Sequence, residues 1–211
     1  MILYIDTSSS YLYTGIVEDG KIVMEIKKEY GQNLSQVALP EIASMFDATG
    51  IYPRNITKII VVNGPGSFTG IRIGITIAKV YAWSLKVPIT TITSLDSMAV
   101  SSKNDKIKVP VIDARRGYCY AGIFSKENEV ILKPCYITYE KLQEELNKQK
   151  DYKLITNDKD KLQLKKATTE SYNPDIVKIA ETFKNKKGVN PHAINPDYLK
   201  LTEAEESAML W

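Results

Sequence analysis

The chain has 211 residues, 44% of them hydrophobic and 25% charged, with a net charge of +3 from 28 basic and 25 acidic side chains. That length holds one large domain or two small ones and buries enough surface to fold without disulfide or metal staples. The composition excludes collagen, wholesale disorder and a disulfide framework, and so small a charge excess does not by itself argue for nucleic-acid binding. The single histidine, His192, leaves no His–His metal pair within one chain. Cys119 and Cys135 lie sixteen positions apart, neither a CxxC pair nor a scaffold, which fits a reducing, cytoplasmic compartment.

The opening MILYIDTSSS reads as a strand running into a turn, without the basic n-region of a signal peptide. A second strand follows, then a third over Lys21 to Glu29 and a helix over Leu34 to Ala48. Pro40 inside that helix predicts a start near Gln36 to Leu39, with the proline in the first turn. Its apolar set includes Val37, Leu39, Ile42, Met45 and Phe46. A buried strand over Lys58 to Asn63 leads into Gly64-Pro65-Gly66-Ser67-Phe68-Thr69-Gly70. This is not a P-loop, because the spacing fails and no Lys-Ser/Thr follows. It reads as a tight strand-to-helix turn, or as an anion-binding nest at a helix N-terminus, with Ser67 or Thr69 placed to cap.

The helix that follows, through Leu85, carries Gly70, Gly74, Ala78 and Ala82 at four-residue spacing on one face. Two glycines inside a helix disfavour it by about 1 kcal/mol each relative to alanine, so a close approach is expected along that stripe. The neighbour is either the helix's own sheet or another chain, and a subunit interface is the expected one. No stretch is long and apolar enough for a membrane span, since Arg72 and Lys79 interrupt the best candidate.

The sharpest feature is internal. Ile5-Asp6-Thr7-Ser8-Ser9-Ser10-Tyr11-Leu12-Tyr13-Thr14-Gly15-Ile16 recurs without a gap 107 positions later, from Ile112-Asp113 through Arg115-Arg116-Gly117 to Gly122-Ile123, with six of twelve positions identical. Each copy runs on into another strand (Lys21 to Glu29; Glu129 to Cys135) and a helix (Leu34 to Ala48; Thr138 to Lys148). Duplication predicts an α/β chain of two lobes, residues 1–100 and 101–211, with a helix near Asp175 to Asn185 free to pack back on the first lobe. Residues 1–100 carry 8 acidic and 8 basic side chains and residues 101–211 carry 17 and 20, so the second lobe reads as the more solvated. Lysine patches at Lys165-Lys166 and Lys184 to Lys187 read as solvated faces, with RNA contact the sharper alternative. Asp6 and Asp113, at the tips of the two first strands, either cap their own turns or contact a ligand.

Strand-Asp6-Thr7-Ser8, Asn63-Gly-Pro-Gly-Ser-Phe-Thr-Gly-Ile-Arg-Ile-Gly74, Ser94-Leu95-Asp96, Ile112-Asp113-Ala114-Arg115-Arg116-Gly117-Tyr118 and Pro196-Asp197-Tyr198-Leu199-Lys200 occur in that order. Together they resemble the TsaB (YeaZ) family across nearly the whole chain. The resemblance implies the two-lobe actin/Hsp70-like (ASKHA, ribonuclease H-like) fold, with duplicated βββαβα lobes and the second reduced. It implies a role in making N6-threonylcarbamoyladenosine at position 37 of tRNAs that read ANN codons, as the non-catalytic partner of a TsaD-like paralogue and a TsaE-like ATPase. It further implies a homodimer in isolation, tRNA met through the complex, and no intrinsic cofactor, with ATP or ADP engaged only at the level of the complex. The metal-binding HxxxH of the catalytic paralogue corresponds here to Asn33 to Pro40, which holds no histidine. Val37, Ile42, Met45, Gly70, Gly74, Ala78 and Ala82 are the expected interface. Asp6, Thr7, Asp113 and Arg115 are the nucleotide or anion candidates, and His192 is expected in a loop or packing role. The alternative is an ASKHA enzyme in its own right, a phosphotransferase or a peptidase-like hydrolase.

Overall fold

The computed structural model describes residues 1–164 and 168–200. The Lys165-Lys166 patch lies outside the described residues. The chain divides into two compact units, Met1–Ser101 with Asn173–Asp197, and Ser102–Tyr172 with Tyr198–Trp211. Residues 173–197, and with them the helix expected near Asp175 to Asn185, therefore belong with the first unit.

The first unit is a five-stranded sheet. Strands β1 (Ile2–Asp6), β2 (Tyr11–Glu18) and β3 (Lys21–Glu29) form an antiparallel meander; β4 (Lys58–Val62) adds parallel to β1, and β5 (Ile89–Ile92) parallel to β4. The strand order is β3-β2-β1-β4-β5. Parallel neighbours need long crossovers, and helices α1 (Leu34–Thr49) and α2 (Phe68–Leu85) supply them. β1 is apolar on both sides because helices cover both faces. Ile5 and Thr7 point toward α2, whereas the Tyr4 hydroxyl on the other face hydrogen-bonds the Ser97 hydroxyl at 2.9 Å. Ser97 lies on α3 (Ser94–Ser101). On that same face α5 (Ile176–Phe183) lays Ile176 over Gly15, where an added Cβ would stand 3.1 Å from the isoleucine side chain. Lys58 fixes the far end of α5, its ammonium donating to the carbonyls of Phe183, Lys184 and Lys186 at 2.6–3.1 Å.

The second unit repeats the plan. β6 (Ile107–Asp113), β7 (Tyr118–Phe124) and β8 (Val130–Thr138) form the meander, α4 (Tyr139–Asn147) follows, and β9 (Tyr152–Ile155) and the two-residue β10 (Thr169–Glu170) add in parallel. Read from the meander edge the order is β8-β7-β6-β9-β10, the order of the first sheet. The unit is reduced: only a 3-10 turn (Lys159–Lys161) stands between β9 and β10 among the described residues, where the first unit has α2. Its core gathers Val109, Val111, Ala121, Ile123, Tyr139, Leu142 and Leu146, with Cys119 buried among them.

Two local expectations need correction. α1 starts at Leu34, directly after a 3-10 turn over Gly31–Asn33, and Pro40 sits in its interior. The proline is on the exposed side, so its ring faces water. The duplicated hairpins also differ by one residue in register. Asp6 pairs with Tyr13, but Asp113 pairs with Cys119, one position short of the equivalent Tyr120. Arg115, Arg116 and Gly117 adopt φ of 65°, 52° and 81°, and this left-handed run makes the second turn tighter.

Candidate functional site

The β1–β2 turn closes on itself. Asp6 is 1% exposed; its Oδ1 accepts the Ser8 N–H at 2.8 Å and its Oδ2 accepts the Tyr4 hydroxyl at 3.3 Å. Burial, with the Asp6 carboxylate beside it, pushes the Tyr13 phenol above its ordinary range. Thr7 is fully buried and its hydroxyl donates to the Gly70 carbonyl at 2.7 Å. The glycine loop explains the burial. Gly66 (φ 149°) lets the loop backbone run so close to Ser8 that a Cβ there would sit well inside 3.0 Å of the Ser8 carbonyl, and the Ser67 N–H donates to that same oxygen at 2.7 Å. The Ser67 hydroxyl accepts the Gly70 N–H, the cap expected from sequence. The loop packs as the tight turn, its Ser67 amide spent on the neighbouring turn. Asp6 and Thr7 are correspondingly placed as turn and packing groups, contrary to their reading as nucleotide or anion contacts.

The small-residue stripe has the same explanation. A Cβ on Gly70 would strike the Thr7 carbonyl, and one on Gly74 the Thr7 hydroxyl, both well inside 3.0 Å. Ala78 and Ala82 are 0% and 1% exposed. The stripe brings α2 onto its own strand β1, and the interface assignment of Gly70, Gly74, Ala78 and Ala82 is corrected accordingly. Ile42 and Met45 of α1 are likewise fully buried and belong to the core of the unit, while Val37 is half-buried.

What α2 turns outward is different: Phe68, Arg72, Thr76, Val80 and Trp83 recur at three- and four-residue spacing and all are exposed. Phe68, Val80 and Trp83 stand 55%, 58% and 67% exposed, and the Arg72 guanidinium lies 3.8 Å over the Phe68 ring. α1 packs beside α2 and adds the half-exposed Leu39. Singly exposed apolar residues are ordinary, but a contiguous set on neighbouring helices marks a contact surface. From sequence the interface is assigned to the glycine stripe, with Trp83 on the opposite side; the spacing of Phe68, Val80 and Trp83 is the signal for the outward face.

In the second unit Asp113 is half-buried. Its Oδ1 accepts the Tyr139 hydroxyl at 2.9 Å, and its backbone N–H donates to Asp158 Oδ2 at 3.2 Å. Asp158 also holds Lys161 at 2.6 Å. Burial, then the Asp113 carboxylate, raises the Tyr139 phenol above its ordinary range. Asp113 thus anchors the first residue of α4 to the β6–β7 turn, a partner the sequence did not reveal. Arg115 and Arg116 stay exposed on the turn itself. Among the described residues no three His, Cys, Asp or Glu side chains converge as a metal site, and no helix is long and apolar enough to cross a membrane. His192 is exposed in a 3-10 turn (Pro191–Ala193).

Two sheets of one strand order, each opened by an Asp-tipped hairpin, define a duplicated α/β chain of the actin/Hsp70-like class. Comparison with known proteins narrows the class. The model of the family described as tRNA N6-adenosine threonylcarbamoyltransferase (TsaD) matches residues 23–207. The tRNA threonylcarbamoyladenosine biosynthesis protein TsaB of Bacillus subtilis is 32% identical, covering 97% of this chain and 96% of its own. The protein of the same name from Escherichia coli is 30% identical over 68% of this chain and 66% of its own. The solved structure of YeaZ from Pseudomonas aeruginosa, 19% identical, superposes with a TM-score of 0.80 over 94% of this chain and 99% of that one, which shows a shared fold. The chain belongs to the TsaB family.

Proposed function

We propose that this chain is a non-catalytic subunit of the machinery that forms N6-threonylcarbamoyladenosine at position 37 of tRNAs reading ANN codons. In this reading it pairs with a TsaD-like paralogue that carries the chemistry, and a TsaE-like ATPase joins them. The chain contacts the paralogue through the outward face of α2 with α1 beside it, and in isolation a second copy takes the same face, since one patch can be self-complementary. Any ATP or ADP acts at the level of the complex.

The observation that carries the non-catalytic reading is the sealed β1–β2 turn. In the actin/Hsp70-like class the hairpin tips meet nucleotide phosphates. Here Asp6 has both carboxylate oxygens engaged by Tyr4 and Ser8, and the glycine loop lies against the turn. What remains outward is an apolar helix face with a cation over its first aromatic ring, the composition of a protein–protein contact. The names of the relatives, which place them in tRNA threonylcarbamoyladenosine biosynthesis, support the pathway.

Co-purification with the cognate TsaD-like protein tests the pairing. Val80→Glu puts a charge in the middle of the exposed face without touching the core. It is expected to abolish capture at unchanged melting temperature; retained capture would remove α2 as the contact.

A further inference from the structure

α1 carries an acid at the unfavourable end of its dipole. Its last turn holds Asp47 and no cation, and the helix closes on Gly50 in the left-handed conformation, with φ of 67°. A negative charge near the C-terminal carbonyls disfavours a helix. Nothing in the chain offsets it: the exposed Asp47 side chain makes no hydrogen bond and no ion pair among the described residues.

Asp47 instead lines an open pocket of about 330 Å³, with Ala43 and Phe46 of α1, Tyr81 of α2, and Tyr52 and Pro53 of the segment between α1 and β4. The Phe46 and Tyr81 rings meet with centroids 6.0 Å apart, and Tyr52 is 61% exposed. The Tyr81 hydroxyl makes no hydrogen bond among the described residues. Tyr52 carries the Arg54 guanidinium 4.4 Å from its ring centroid, so one ring of this pocket already attracts a cation in the folded chain.

The pocket continues the contact face. Leu39, Ala43 and Asp47 follow at four-residue spacing and all are exposed, so they form one stripe of α1. Leu39 is the α1 residue that joins the outward face of α2, and Tyr81 directly follows Val80 of that face. From Asp47 the sequence runs to Asp96 without another acid, past Arg54, Lys58, Arg72, Lys79 and Lys86. A partner that meets this face therefore finds cations along α2 and a carboxylate at the pocket, and such polarity fixes which way round it docks.

An unpaired carboxylate, aromatic rings and the negative end of a helix dipole all favour a cation. We infer that this pocket takes a lysine or arginine side chain of the TsaD-like partner, its charged head on Asp47 and its stem against Tyr52 and Tyr81. The inference rests on the proposed pairing and adds the register: a basic residue of the partner lies over the C-terminal end of α1.

Calorimetric titration of the chain with the cognate TsaD-like protein, at about 50 and 300 mM salt, tests it. Asp47→Asn should weaken pairing about tenfold at low salt and less at high salt, and Asp47→Lys roughly a hundredfold. Tyr52→Ala should weaken it about threefold. Neither Asp47 variant should lower the melting temperature, because each removes a charge opposed to the α1 dipole; a merely structural role for Asp47 predicts the reverse. Pairing unchanged in Asp47→Lys, while Val80→Glu still abolishes it, overturns the pocket and leaves α2 as the contact. Weakened self-association in sedimentation, with capture of the TsaD-like protein unchanged, assigns the pocket to a second copy and also overturns it. Absence of pairing by the unmodified chain would overturn the pairing itself and the pocket with it.

Discussion

Replacing Gly74 by alanine sets two opposed effects against each other, and their balance reports whether α2 is fitted to its own sheet. Helix propensity alone favours alanine by about 1 kcal/mol. The added methyl, however, would overlap the Thr7 hydroxyl, which is fully buried and donates to the Gly70 carbonyl at 2.7 Å. The next neighbour, Ile5 Cγ2, is at an ordinary 3.6 Å, so the hydroxyl is the whole obstacle. Displacing it breaks a buried hydrogen bond, at about 1–3 kcal/mol, and moving α2 off β1 to relieve the overlap adds about 1–3 kcal/mol of overpacking strain. Gly74→Ala is therefore expected to destabilise the chain by roughly 1–5 kcal/mol after the propensity gain. Thr7→Ala removes the obstacle, so in the double variant the two losses should fall short of additivity by about 1–2 kcal/mol. Urea unfolding of wild type, both single variants and the double variant measures this directly. A stabilised Gly74→Ala chain, or strict additivity, would refute the packing argument.

Ala78→Leu should lower the melting temperature through about 1–3 kcal/mol of overpacking while leaving partner capture intact, separating the buried stripe from the outward face in a thermal melt and a pull-down. Alkaline titration should unfold the chain from about pH 10 upward. The Tyr13 and Tyr139 phenols are raised in the folded state, so their contribution is full below the ordinary tyrosine value and is lost as pH climbs through the folded ones; Tyr139→Phe should flatten that limb of the stability profile. Cys119, whose thiol burial pushes up to about 12, should resist alkylation at neutral pH in the folded chain and react only in denaturant, as a thiol-labelling time course will show.

The fold was largely legible because its strongest signals are periodic. The repeat of Ile5–Ile16 at Ile112–Ile123 announces two sheets of one plan, and both sheets have that plan. The caps at Ser67, Thr138 and Asp175 follow from short polar side chains ahead of helical runs. Less was legible where the answer depends on what lies across from a residue. The one-residue slip of the second hairpin is hidden by an ungapped match, because Arg115 and Arg116 carry no sequence mark of left-handed backbone. The four-residue spacing of Gly70, Gly74, Ala78 and Ala82 correctly demands a close neighbour but cannot say which, and Thr7 on the sheet answers it. Asp6 similarly reads as a ligand or a turn group until Tyr4 and Ser8 are seen to occupy its oxygens. The short β5, β9 and β10 have too few residues to show a period of their own.

Reconstitution of tRNA modification from purified TsaD-like and TsaE-like proteins, with and without this chain, tests the central claim most directly. Threonylcarbamoyladenosine should form only when the chain is present, should be lost with Val80→Glu, and should persist with Asp6→Asn in every preparation that folds. Full modification in the absence of the chain, or loss of turnover by a well-folded Asp6→Asn protein that still binds its partner, would contradict it.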